Sequence, residues 1–231
     1  MRRLILFDVD GTLLSARGAP RRAFERAMLE VYQRTGPIAT HRFDGKTDPQ
    51  IARELLELDG LGATAIDAGL PALWRTYLRA LSAELETPGH ETHVYPGVHA
   101  LLQELERRGR DAVLGLLTGN IRQGALLKLA SARIATRFRL GAFGCDCERR
   151  DGLPPIAVAR ALAETGVRFD GESIVIVGDT PHDVSCGAAL GVRAIAVATG
   201  RHERPDLEAA GASVVFDDFR DTAAVLDAVL A

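Results

Sequence analysis

Short, nearly unbroken apolar runs alternate along this chain with stretches in which apolar residues recur every three or four positions. The runs at 4–7, 112–117, 174–177, 194–198 and 213–216 read as buried strands. A parallel sheet covered by helices on both faces leaves no solvent side to demand polar alternation. Helical spacing fills the intervals at 97–108, 121–132, 155–166, 183–190 and 222–230. Gly109, Gly166 and Gly191 stand where helix C-termini should fall. Strand and helix in alternation predict an α/β fold, a Rossmann-like parallel sheet with helices on both faces.

Residues 16–94 break that rhythm. They carry helical patterns at 21–34, 49–58 and 72–85 and no convincing strand. An all-α block spliced in after the first strand reads as a cap domain, with 1–15 and 95–231 forming the catalytic core. The segments at 15–20 and around Pro88-Gly89-His90 and Tyr95-Pro96-Gly97 read as its links. Trp74 and Tyr77, one helical step apart, are expected to pack inside the cap.

A chain of 231 residues can bury one core and a small satellite. The formal charge of −3 gives no general pull towards nucleic acid or an anionic membrane. The N-terminal apolar run is far shorter than the roughly 20 residues of a membrane span or the about 7–15 of a signal-peptide core, so the cytoplasm is the expected location. The three cysteines suit a reducing compartment, and Cys145-Asp146-Cys147 lacks the second pair or histidine that zinc would need. Nearly all basic residues are arginine. Lys46 and Lys128 are the only lysines, which draws attention to both.

Three predicted strands run into polar clusters: Asp8-Val9-Asp10-Gly11-Thr12, Thr118-Gly119-Asn120, and Gly178-Asp179-Thr180-Pro181-His182-Asp183. In an open parallel sheet such clusters meet on one rim, where ligands bind. Asp8, Asp10, Asp179 and Asp183 would then repel one another, with no lysine or arginine in their segments, and a hard divalent cation resolves the conflict. Mg²⁺ suits it, because it takes one or two carboxylates, keeps waters and shares itself with phosphate. Residues two apart on a strand face the same side, so Asp8 and Asp10 can address one phosphorus. Asp8 at the strand end suits a nucleophile, and Asp10 just beyond it an acid/base. Thr118, Gly119 and Asn120 open the next helix and offer a hydroxyl and free amides to an anion, although Thr118 alone also fits a plain N-cap. Phosphoryl transfer calls for one more cation. Arg150 is preferred, with Arg149 next, and Lys128 is placed on the exposed face of its helix. His182 reads as a loop residue, and Asp183 can also cap the helix after Pro181. The segment 44–48 reads either as a capped loop or as one dipping towards the leaving group, with Lys46 touching an anionic part of the substrate.

These motifs resemble the four ordered motifs of the haloacid dehalogenase superfamily, over the whole chain and with a helical cap after the first strand. Phosphoglycolate-phosphatase-like and β-phosphoglucomutase-like members look most similar. The resemblance implies Asp8 as nucleophile, Asp10 as acid/base, and phosphate binding by Thr118. It implies Mg²⁺ on Asp8, the Asp10 backbone carbonyl and Asp179, with Asp183 close behind. The third motif departs from the usual Lys-Pro, since arginine stands here; an arginine supplies the same charge in bidentate form. The implied activity is hydrolysis of a small phosphorylated metabolite, with phosphoglycolate or a sugar phosphate in first place. The rivals are a phosphomutase, a phosphonoacetaldehyde-hydrolase-like enzyme using Lys46, and an inactive binding protein. Asp10 speaks for phosphate-ester chemistry over the phosphonate and dehalogenase alternatives, which lack it. Oligomeric state is not legible, a homodimer being one arrangement the chain allows.

Overall fold

The structure is a computed structural model that describes residues 2–231. In chain order the strands are β1 (Arg3–Phe7), β2 (Leu14–Ser15), β3 (His93–Val94), β4 (Ala112–Thr118), β5 (Leu140–Phe143), β6 (Ile174–Gly178), β7 (Arg193–Val197) and β8 (Val214–Phe216). The helices are α1 (Ala19–Tyr32), α2 (Asp48–Leu58), α3 (Ala63–Leu85), α4 (Val98–Arg107), α5 (Arg122–Ser131), α6 (Leu153–Thr165), α7 (Pro181–Ser185), α8 (Arg204–Ala209) and α9 (Thr222–Leu230).

Six strands form one parallel sheet in the order β5-β4-β1-β6-β7-β8. β1 is central and fully buried, as its five apolar-rich residues demand. Phe7 is in register with Leu116 of β4 and Val177 of β6. The polar residues that follow each strand therefore emerge side by side at the carboxyl rim. The chain builds outwards from β1 to β4 and β5, then returns to β6 on the other flank, so this rim is the topological switch point where ligands bind. One face of the sheet packs with Val98, Leu101 and Leu105 of α4 and Val225 and Val229 of α9. The other packs with Leu153, Ala157 and Ala161 of α6.

Helices α1, α2 and α3 enclose a second apolar cluster around Phe24, Met28, Leu55, Leu73 and Tyr77, which Ile121 joins from the core side. This is the helical insertion, and β2 with β3 makes a two-stranded antiparallel ribbon at its base.

Several expectations need correcting. β5 was not foreseen: Leu-Gly-Ala-Phe is short and holds a glycine, so it lacks a strand's usual signal. The ribbon strands have two residues each, too few for any periodicity. α3 begins at Ala63 and runs through Pro71. The apolar spacing of Ile66, Leu73 and Tyr77 carries it past the one backbone bond that proline removes. The expected helix at 183–190 is instead the single turn of α7 followed by a 3₁₀ turn at Ala188–Leu190, and α8 was missed.

Candidate active site

The Asp8 amide continues the sheet by donating to the Val177 carbonyl at 2.9 Å, which fixes its side chain at the rim. The next turn closes through Leu13 N–H to Val9 O at 2.9 Å and Gly11 N–H to Leu14 O at 3.0 Å. Gly11 adopts φ +89° there, and a Cβ on it would overlap the Asp179 carboxylate. Glycine is thus required twice over, for its backbone and for the approach of Asp179. Thr12 donates to Asp179 Oδ1 at 2.8 Å. In the third rim segment Thr180 caps α7 reciprocally with Asp183, whose Oδ2 accepts from the Thr180 amide at 3.0 Å and hydroxyl at 2.7 Å.

Asp8, Asp179 and Asp183 are buried, and each offers an oxygen within 4.8 Å of the others. The segments that carry these acids hold no lysine or arginine, but the fold brings Arg150 in among them. Arg150, 7% exposed, donates through Nη2 to Asp8 Oδ1 at 3.0 Å and also to Asp183 Oδ1. One guanidinium does not neutralise three carboxylates. Burial pushes Asp8 up from 3.8 to about 7 against the opposing pull of Arg150, with Asp183 and Asp10 adding to the rise. Burial, with Asp183 and Asp8 adding to the rise, pushes Asp179 well above the ordinary range. Neither Asp8 Oδ2 nor Asp179 Oδ2 has a hydrogen-bond partner among the described residues. Hard, mutually repelling oxygens with free lone pairs suit a small divalent cation.

Asp10 stands apart from that trio. Its Oδ2 accepts from Lys128 Nζ at 2.7 Å and from Asn120 Nδ2 at 2.8 Å. Asn120 also donates to Thr118 Oγ1 at 2.8 Å, and its Oδ1 accepts from Lys128 at 2.6 Å. Asp8, Asp10, Thr118 and Asp179 open into one cavity of about 400 Å³. Its opposite wall comes from the insertion and includes Phe24, Phe43, Ile51 and Tyr77.

A family model described as haloacid dehalogenase-like hydrolase matches residues 5–197. The chain belongs to the haloacid dehalogenase-like hydrolases. It is 30% identical over 227 residues to phosphoglycolate phosphatase 1 of Pseudomonas aeruginosa, covering 95% of this chain and 78% of that protein. It is 29% identical to the phosphoglycolate phosphatase of Rhodospirillum rubrum, covering 95% and 88%. A hydrolase from Pseudomonas syringae shares the fold at a TM-score of 0.73 with 19% identity, each chain covered in full. As a haloacid dehalogenase-like hydrolase with relatives of this kind, the chain is an enzyme of the phosphatase type. Among the described residues, no helix is long and apolar enough to cross a membrane.

Within this haloacid dehalogenase-like hydrolase the remaining candidates fall unevenly. Arg149 is exposed and pairs with Asp151, so the buried cation is Arg150. Lys128 is the clearest correction: its side chain is 4% exposed and faces the site. α5 turns Gly124, Ala125, Lys128 and Leu129 inwards, and the reading that a charge marks the solvent face failed because Asp10 supplies the partner. The anion site expected at the start of α5 is also altered. The helix begins at Arg122, and the Ile121 amide is taken by the carboxylate of Asp48, at 2.7 Å. Burial raises Asp48 to about 6, while Lys128 and the Ile121 bond hold it down.

Lys46 lines the cavity, but its ammonium pairs with Glu54 at 2.5 Å, and His41 and Gln50 bond the same carboxylate group. Around it, main chain lies on main chain. Asp48 N–H donates to Gly119 O at 2.7 Å, and a Cβ on Gly119 would strike the Lys46 carbonyl. A Cβ on Gly144 would strike the Gly119 carbonyl in turn. Thr47 caps α2 and donates to Glu148 O at 2.5 Å. His182 is exposed beside Gly45 and outside the hydrogen-bond network of the site.

Proposed function

We propose that the chain hydrolyses a small phosphate monoester of the phosphoglycolate kind through an aspartyl-phosphate on Asp8. The observation that carries this reading is the meeting of three buried carboxylates at the floor of a cavity that Asp10 also lines. The relatives named for phosphoglycolate support the substrate class.

Asp8 attacks phosphorus, and the P–O bond to the leaving group breaks as Asp10 delivers a proton to the departing alkoxide. A water then attacks the acyl-phosphate, gives its proton to Asp10, and frees Asp8 and inorganic phosphate. Arg150 beside Asp8 balances the charge that collects on the transferring oxygens, the contribution on which phosphoryl transfer chiefly depends. Thr118, with Gly119 and Asn120, borders the same space and serves the nonbridging oxygens. Asp8, the Asp10 carbonyl and Asp179 would hold Mg²⁺, with Asp183 behind them; the ion would supply the positive charge that keeps both acids ionised. The insertion closes the space and shields the acyl-phosphate from stray water, and Lys46 with the aromatic wall faces the leaving group.

Phosphate release from a panel that includes phosphoglycolate, with Mg²⁺ and with EDTA, tests the reading. Turnover should require the metal and fall below detection in Asp8→Asn. Undiminished turnover in either condition overturns it, and bisphosphate-primed isomerisation without phosphate release would replace it with a mutase.

A further inference from the structure

Asp10 needs more than its place in the chain to serve as an acid/base. It lies beyond the end of β1, and its side chain is 40% exposed. A carboxylate in that position samples several orientations unless partners hold it. Two do. Lys128 Nζ, at 2.7 Å, and Asn120 Nδ2, at 2.8 Å, both donate to Oδ2. Asn120 is itself held by Thr118 and Lys128. Lys128 is 4% exposed at the side chain, reaches the rim from the second turn of α5, and makes both of its hydrogen bonds inside this group.

We propose that Lys128 is the positioning residue for the acid/base of the reaction: it clamps Oδ2 of Asp10 so that Oδ1 alone faces the substrate and carries the proton. The inference rests on Asp10 being the acid/base of a phosphatase, as proposed above. Neither donor bonds Oδ1, so the working oxygen stays free in both half-reactions. It gives its proton to the leaving oxygen as the P–O bond breaks and regains one from the water that splits the acyl-phosphate. Lys128 neither gains nor loses a proton in either step. Removing the clamp leaves Asp8, Arg150 and the carboxylate trio in place, so the fault should lie in proton delivery.

That distinction can be measured. The value of kcat/KM reports steps through transfer of phosphate to Asp8, and the need for a proton there depends on the leaving group. An alkoxide must be protonated, whereas p-nitrophenolate departs unaided. In Mg²⁺-loaded full-length protein, Lys128→Met should lower kcat/KM for alkyl phosphates by about 10²-fold, the lower end of general acid catalysis, and for p-nitrophenyl phosphate by less than about fivefold. Asn120→Ala, which removes the second donor to the same oxygen, should shift the ratio in the same direction and serves if the methionine variant does not fold. An equal loss on both ester types, or no loss on alkyl esters, overturns the inference. Failure of the wild type to release phosphate from any ester would instead overturn the functional reading beneath it.

Discussion

Replacing Asp8 by asparagine removes a buried charge with almost no change of shape, and its effect on stability should reverse the usual sign. In the unfolded chain Asp8 releases its proton near 3.8; in the folded chain it does so near 7. Between those values the folded state holds the extra proton, so stability is present at low pH and is lost as pH rises through about 4 to 7. The displacement corresponds to at most about 4 kcal/mol, or about 8–16 °C for a chain of this length. Asp179 is displaced in the same direction and adds to the slope. Asparagine cannot ionise and can still accept from Arg150. Metal-free Asp8→Asn should therefore melt above the metal-free wild type at pH 8, and the two should approach each other by pH 5. Mg²⁺ should raise the wild type more than the variant and more at pH 8 than at pH 5. The assay is a set of thermal melts in EDTA and in Mg²⁺ across that range. Parallel melting curves, or a variant less stable than the wild type at pH 8 without metal, would refute the idea that uncompensated carboxylate charge strains the metal-free site.

Arg150→Met should reduce kcat/KM by about 10²–10³-fold, the scale of losing one preorganised charge at the transferring group, while Arg149→Ala stays within about threefold because its ion pair is exposed; steady-state kinetics on one ester decide between the two arginines. Gly11→Ala forces a methyl into Asp179 at φ +89°. The Mg²⁺ concentration for half-maximal activity should then rise about 10–100-fold, as for other disturbed metal surroundings; an unchanged metal titration would separate Asp179 from the cation.

What could be read from the sequence was set by how local each signal is. β1, β4 and β6 are apolar runs that end in polar clusters, and their parallel pairing alone carries Asp8, Thr118 and Asp179 to one rim. Gly-Asp-Thr followed three residues later by Asp183 is a capping pattern, and the cap forms. Which side chains from distant segments bond one another is harder to read, although Arg150 is the preferred cation of the site. Arg150 lies 142 positions from Asp8, and only the fold decides that it, and not Arg149, turns inwards. Lys128 was misplaced because a lone charge on a helix ordinarily marks the wet face, and nothing within a turn of it announces Asp10. Its rarity was the available clue, since this arginine-rich chain keeps only two lysines and both line the cavity. Asp48 was legible as the start of a helix but not as the group that closes the N-terminus of another.

At the joint between insertion and core, Lys46 to Asp48 rest on Gly119 backbone against backbone. The side chains of Thr47 and Asp48 tie the same joint to the Glu148 carbonyl and the Ile121 amide, so backbone and side chain together set the distance between insertion and core. On the wall across the cavity Phe24, Ile51 and Tyr77 belong to the buried core of the insertion, so the position most open to redesign of the cavity is the half-buried Phe43.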